Sequence, residues 1–229
     1  MDWPTTRFPA RHRVPEFTTF ASLLRMATKY GFSDVREQLI EDLKSVYPTK
    51  WEDFEAGGVL GEDVFGLPHP HPNAVLNLFV TQNVRFAIPF AAYRASLGGF
   101  SSLMNSEPCA VLPRDILAST VNGMGITQRM MVHATYGLVY VRSLGICRER
   151  ACVLNAGINS TERRAEALEK ISEIMFSERK GGVLSAPLLG DLTCSKCTKE
   201  IEASCAKCRR SCWEILPSAF SVAKRWDEV

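Results

Sequence analysis

CSKCTKEIEASCAKCRRSCWEIL, residues 194–216, holds five of the eight cysteines in a 229-residue chain, and its reading decides the fold. Cys194-x2-Cys197 and Cys205-x2-Cys208 offer four thiolates, the number a structural zinc site takes. Double CxxC modules leave about 15–20 residues between the pairs, enough to fold a loop back over the metal. Here only TKEIEAS intervenes, and it contains no Gly or Pro to turn the chain. Cys194, Cys197, Ile201, Cys205, Cys208, Cys212 and Ile215 instead recur every three or four residues, the rhythm of one face of an α-helix. Lys196, Lys199, Glu200, Glu202, Lys207, Arg209 and Arg210 fill the opposite face. On a straight helix Cys194 and Cys208 stand about 21 Å apart, at ~1.5 Å per residue. One ion bound at ~2.3 Å cannot gather all four thiolates. The stretch therefore reads as a helix whose cysteines pack as small apolar residues. Asp191 or Thr193 is placed to cap it and Pro217 to end it.

A redox reading fares worse. A dithiol catalyst places its CxxC at a helix N-terminus after a strand, and no strand precedes Cys194. Cys147 and Cys152 match no ligand spacing, and Cys109 is alone.

The chain around this stretch has the same helical character. Phe17, Phe20, Leu24 and Ala27, widened by Leu23 and Met26, predict a helix that stops at Tyr30-Gly31-Phe32, where glycine accepts the left-handed turn. Asp34, with Glu37 three residues on, forms a capping box for a second helix. Its buried stripe would be Val35, Leu39, Leu43 and Val46. Residues 49–72, rich in Gly and Pro, read as a linker, with Trp51 and Phe54 pinned back onto the core. Asn73 to Gln82 and Pro89 to Leu97 read as further helices, and Gly98-Gly99 breaks the pattern. A helix from Leu112-Pro113 is expected to end at Asn122-Gly123, with Thr127 capping the next. A charged helix from Ser160 or Thr161 would bury Ala167, Ile171, Ile174 and Met175. No segment sustains period-2 alternation. The expectation is an all-α fold, an irregular helical array or bundle with long loops. It divides into a loose tail over 1–15, a helical hairpin over 16–48, the linker over 49–72 and a helical domain over 73–229.

Composition narrows the function classes. Hydrophobic residues make up 46% and charged residues 23%, ordinary for a folded protein. A net charge of +2 leaves little excess to gather into a nucleic-acid patch. Arg148-Glu149-Arg150, Arg163-Arg164 and Arg209-Arg210 read as solvated helix faces. No apolar run approaches the ~20 residues that cross a bilayer, and the N-terminal segment lacks a signal-peptide core. The expected setting is intracellular, cytoplasm or nucleus, where disulfides are rare. His69-Pro70-His71-Pro72 reads as an extended linker and His133 as a core histidine. Gly123-Met124-Gly125 lacks the strand context of a dinucleotide loop. No residues assemble into a catalytic, cofactor-binding or metal site.

Several phrases carry a resemblance. FTTFASLLRMATKYGFSDVREQLIEDLKSVYPTKWEDF resembles the helical segment that follows the BTB/POZ domain in the large BTB-containing family of mushroom-forming fungi. TQNVRFAIPFAAYRAS is similar to that family's next helix pair. LPRDILASTVNGMGITQRM and CRRSCWEILPSAFSV resemble its C-terminal region, including the ending Trp213-Glu214-Ile215-Leu216-Pro217. The resemblance spans most of residues 16–225. Family members carry a BTB/POZ domain of roughly a hundred residues before this segment, where this chain has fifteen. The resemblance implies a non-enzymatic protein–protein interaction module with unknown protein partners. Without the preceding domain its docking face would be left exposed, so poor solubility or self-association through the helices at 16–46 is expected. A zinc-stabilised regulatory or nucleic-acid-contacting module using Cys194, Cys197, Cys205 and Cys208 is the alternative, and an enzyme of unrecognised class the second.

Overall fold

The computed structural model describes residues 16–44, 47–57, 65, 70–104, 112–142, 169 and 194–229, with backbone alone at 56–57, over 131–142 and at six positions between 197 and 205. Within these residues the chain is all-α. The helices are α1 (Phe17–Tyr30), α2 (Ser33–Lys44), α3 (Trp51–Gly57), α4 (Pro72–Thr81), α5 (Ile88–Leu97), α6 (Gly99–Met104), α7 (Arg114–Arg142) and α8 (Ser195–Ala219). Single 3-10 turns lie at Arg85–Ala87 and Trp226–Glu228, and no strand occurs among the described residues. The expected tail over 1–15, Val46, Cys109, Cys147, Cys152 and the helix expected from Ser160 to Met175 lie outside the described residues, apart from helical Glu169.

Helix α5 sits at the centre. Its sequence IPFAAYRASL is apolar nearly all round, and seven of its ten residues are buried. A helix of that composition belongs inside a helical layer, not on its surface. Ala91, Ala92 and Ala95 present no bulk, so α4, α7, α6 and α8 close on it from different sides. Pro89 occupies the first turn, where its missing N–H removes no helical hydrogen bond.

Helix ends are set by local chemistry. Gly31 takes the left-handed conformation at φ 70°, and the Phe32 N–H returns to the Ala27 carbonyl, ending α1 as the sequence predicts. Asn83 does the same after α4 at φ 53°, with Val84 N–H donating to Phe79 O at 2.8 Å. Ser221 does so after α8 at φ 58°, with Val222 N–H donating to Pro217 O at 2.9 Å. His71 caps α4: its Nδ1 accepts the Asn73 N–H at 3.2 Å, ahead of Pro72 in the first turn. That role replaces the extended linker expected of His69-Pro70-His71-Pro72, of which His69 lies outside the described residues.

Four local expectations are corrected by packing. The helix expected to break at Asn122-Gly123 runs on unbroken as α7, because the Phe220 ring occupies the space where a Cβ at position 123 would stand. Thr127 therefore caps nothing: its hydroxyl donates back to Gly123 O and Met124 O inside the helix. Asp34 lies in the first turn of α2 instead of at its cap, where its charge still favours the helix N-terminus. The segment expected to be a linker contains α3, because Trp51 and Phe54 are both buried and hold the backbone against α8.

Pro217 lies inside the last turn of α8 instead of after it. Proline has no N–H, so the Trp213 carbonyl four residues earlier loses its helical donor. The Trp226 indole supplies one, with Nε1–H donating to Trp213 O at 2.8 Å. Trp226→Phe is expected to leave that carbonyl unsatisfied and cost about 1–3 kcal/mol. Pro217→Ala returns a backbone donor, so the cost of Trp226→Phe should fall well below its single-mutant value in that background. Urea unfolding of the four chains in this cycle measures the difference.

Candidate functional site

Two features stand out on the molecule: an aromatic node inside it and an apolar stripe outside it. The node is Trp213 on α8, 1% exposed. It stacks on Phe54 of α3 with ring centroids 4.6 Å apart and on Trp226 at 4.8 Å. Trp51 and Phe90 meet it at 6.3 Å and 5.6 Å. Offset and edge arrangements of this kind add to the apolar area that such rings bury. One residue thus joins α3, α5, α8 and the C-terminal turn.

The five cysteines of the opening stretch are spread along this helix. Cys194 precedes α8, and Cys208 follows it by fourteen residues of continuous helix, about 21 Å at ~1.5 Å per residue. The helical path excludes one zinc ion shared by Cys194, Cys197, Cys205 and Cys208. The side chains of Cys197 and Cys205 lie outside the described residues, and no cluster of three ligand-type side chains occurs among the described ones. Cys194 and Cys208 pack partly buried against the core, and Cys212 is fully buried. Helix α8 packs against α7 and α5.

Cys208 and Cys212 are one turn apart and share a thiol hydrogen bond. That bond lowers the Cys208 thiol to about 7, against the opposing effect of its burial. The same bond, together with burial, pushes Cys212 upward. Cys208 is therefore expected to react with iodoacetamide at a rate that climbs as pH rises through 7, while Cys212 reacts only on unfolding. Mass-spectrometric footprinting across pH 5–9 checks both.

Arg210 stays on the solvated face expected for it, whereas Arg209 is largely covered. Arg209 lies over the Trp51 ring at 5.9 Å and pairs with Glu55 at 3.7 Å. Arg210 reaches Glu52 at 3.3 Å and Glu214 at 3.2 Å. The Glu55 and Glu52 contacts bridge α8 to α3, although exposed ion pairs contribute at most about 1 kcal/mol each.

An open depression of about 430 Å³ lies beside the C-terminal turn, lined by Arg85, Ser218, Ser221, Val222, Ala223, Lys224 and Glu228. Two of its polar groups are engaged locally: the Glu228 carboxylate accepts the Lys224 backbone N–H, and the Ser218 hydroxyl donates to Ile215 O. No nucleophile and base face one another there. His133 lies on α7, where only the backbone is described, and Gly123-Met124-Gly125 is mid-helix, not a phosphate loop.

The stripe lies on the α1–α2 pair. Leu23 and Met26, expected to widen the buried face, are 40% and 53% exposed. Tyr30 and Phe32 follow at 59% and 55%, their rings 6.1 Å apart. Val35, expected in the buried stripe of α2, is 46% exposed. The inner faces of the two helices, Phe20, Ala21, Leu24, Ala27, Leu39 and Leu43, are satisfied by the core. The apolar surface of this pair is therefore wider than the core covers. Periodicity found both faces but could not tell which part of them would stay in water.

No helix among the described residues is long and apolar enough to cross a membrane. Comparison with protein-family models, curated proteins and solved structures yields no match.

Proposed function

We propose that the chain is a non-enzymatic helical protein–protein interaction module, the C-terminal helical part of a fungal BTB/POZ-type protein, and that it acts inside the cell. The stripe Leu23, Met26, Tyr30, Phe32 and Val35 carries this reading. Isolated apolar side chains on a surface need no explanation, but a run of five large ones along two adjacent helices and the turn between them marks a docking face. The polar groups of the described residues lend it support, because they close helix ends and brace α3 and do not converge on a reacting centre.

A photoreactive residue placed at Met26 tests it directly. In cell extract the docking reading expects discrete protein adducts at Met26 that a probe at exposed Ser101 on α6 does not form. Equal labelling at both positions would remove the stripe as an interaction surface.

A further inference from the structure

We infer that the occupant of the α1–α2 face is a second copy of this chain, docked through a two-fold contact that sets α1 of one copy on α2 of the other. The inference rests on the reading of that face as a docking surface. It adds the identity of the partner, which follows from how charge is divided between the two helices.

Helix α1 carries Arg25 and Lys29 and no acid. Helix α2 carries Asp34, Glu37, Glu41 and Asp42 against Arg36 and Lys44. Of those two bases, Arg36 donates to the Gln82 carbonyl at the end of α4, and Lys44 pairs with Glu41 at 2.6 Å. One helix is thus basic and its neighbour acidic. Arg25 and Lys29 are four apart, as are Glu37 and Glu41, so each pair forms a short charged row along its helix. All four are exposed. Lys29 stands over the Tyr30 ring at 5.3 Å, which puts the basic row directly beside the apolar stripe.

A face that carries both signs side by side complements its own image. A two-fold axis parallel to the helix pair brings α1 over α2 of the other copy, and by symmetry α2 over α1. The basic rows then face acidic rows twice, while the apolar stripes meet between them. A partner with one dominant charge, such as nucleic acid or an anionic membrane, would attract α1 and repel α2. The contact involves only two short helices from each copy, so a weak, salt-sensitive dimer is expected and not an obligate one.

Sedimentation equilibrium of the full chain tests the inference. The unsubstituted chain should dimerise, and its dissociation constant should rise at least several-fold between about 0.05 M and about 0.5 M salt. Arg25→Glu/Lys29→Glu and Glu37→Lys/Glu41→Lys should each be monomeric under conditions where the unsubstituted chain pairs. Mixing the two variants should restore a dimer containing one of each, a rescue that damage to the fold would not produce. A dimer indifferent to salt and to both reversals would overturn the proposed pairing. A monomer that still forms Met26 adducts with other proteins would overturn the second copy as occupant and leave the docking face standing. A monomer that forms none would remove both.

Discussion

Trp213→Ala is expected to lower stability by about 3–5 kcal/mol, the range for removing a fully buried large aromatic side chain. The loss should lie at the upper end, because the vacated volume is bordered by rings from separate elements. Trp51 and Phe54 come from α3, Phe90 from α5 and Trp226 from the C-terminal turn. Rigid rings held by different helices cannot collapse together into one cavity. Helix α3 has few other buried anchors, so it should detach first. Folded domains have only about 5–15 kcal/mol in reserve, and a change of this size shifts the whole unfolding transition. Urea unfolding followed by tryptophan fluorescence and by circular dichroism measures it. Trp213→Phe, which keeps an aromatic ring in the node, should recover a large part of the loss.

Gly123→Ala and Gly125→Ala are expected to move stability in opposite directions, although both glycines lie in the same helix. A methyl group at 123 would fall well inside contact distance of the Phe220 ring atoms Cδ1 and Cε1. That ring has little room to yield. Phe220 is 3% exposed, its carbonyl accepts the Ser119 hydroxyl, and its N–H donates to Leu216 O. Overpacking of a fixed contact costs about 1–3 kcal/mol, more than the roughly 0.5–1 kcal/mol that alanine returns in helix propensity. A methyl group at Gly125 would meet nothing within 4 Å beyond its own helix backbone, so alanine there should stabilise by about the propensity gain. Phe220→Leu should remove most of the penalty at 123, and a double-mutant cycle reads the coupling between the two positions.

The same two glycines show what a local reading of the chain reaches. Asn122-Gly123 is a strong helix-stop signal when only neighbouring residues are considered. The signal for its true role is the aromatic ring of Phe220, close in space but far along the chain, and no sequence period carries it. Trp226 and Pro217 form a second case: a proline is compatible with the last turn of α8 only because an indole nine residues later replaces the missing donor. In the candidate site the limitation is different. Leu23, Met26 and Val35 are apolar and helical, so periodicity assigns them to a buried face, and their exposure depends on how much of that face the core reaches.

The cysteine stretch marks where the division falls. Its three- and four-residue spacing, without a turn-forming residue between the CxxC pairs, was sufficient to favour a helix over a shared zinc site, and the structure carries that helix from Ser195 to Ala219. Gly31 at the end of α1, Pro89 in the first turn of α5 and the apolar run of α5 were likewise fixed by local sterics and hydrogen-bond geometry. Tertiary structure alone decided that α7 continues past Gly123, that Trp51 and Phe54 make a helix out of a Gly- and Pro-rich segment, and that the outer stripe of α1 and α2 stays in water. Helix formation is governed by neighbours within about four residues along the chain. Burial is governed by whichever distant side chain fills the space opposite.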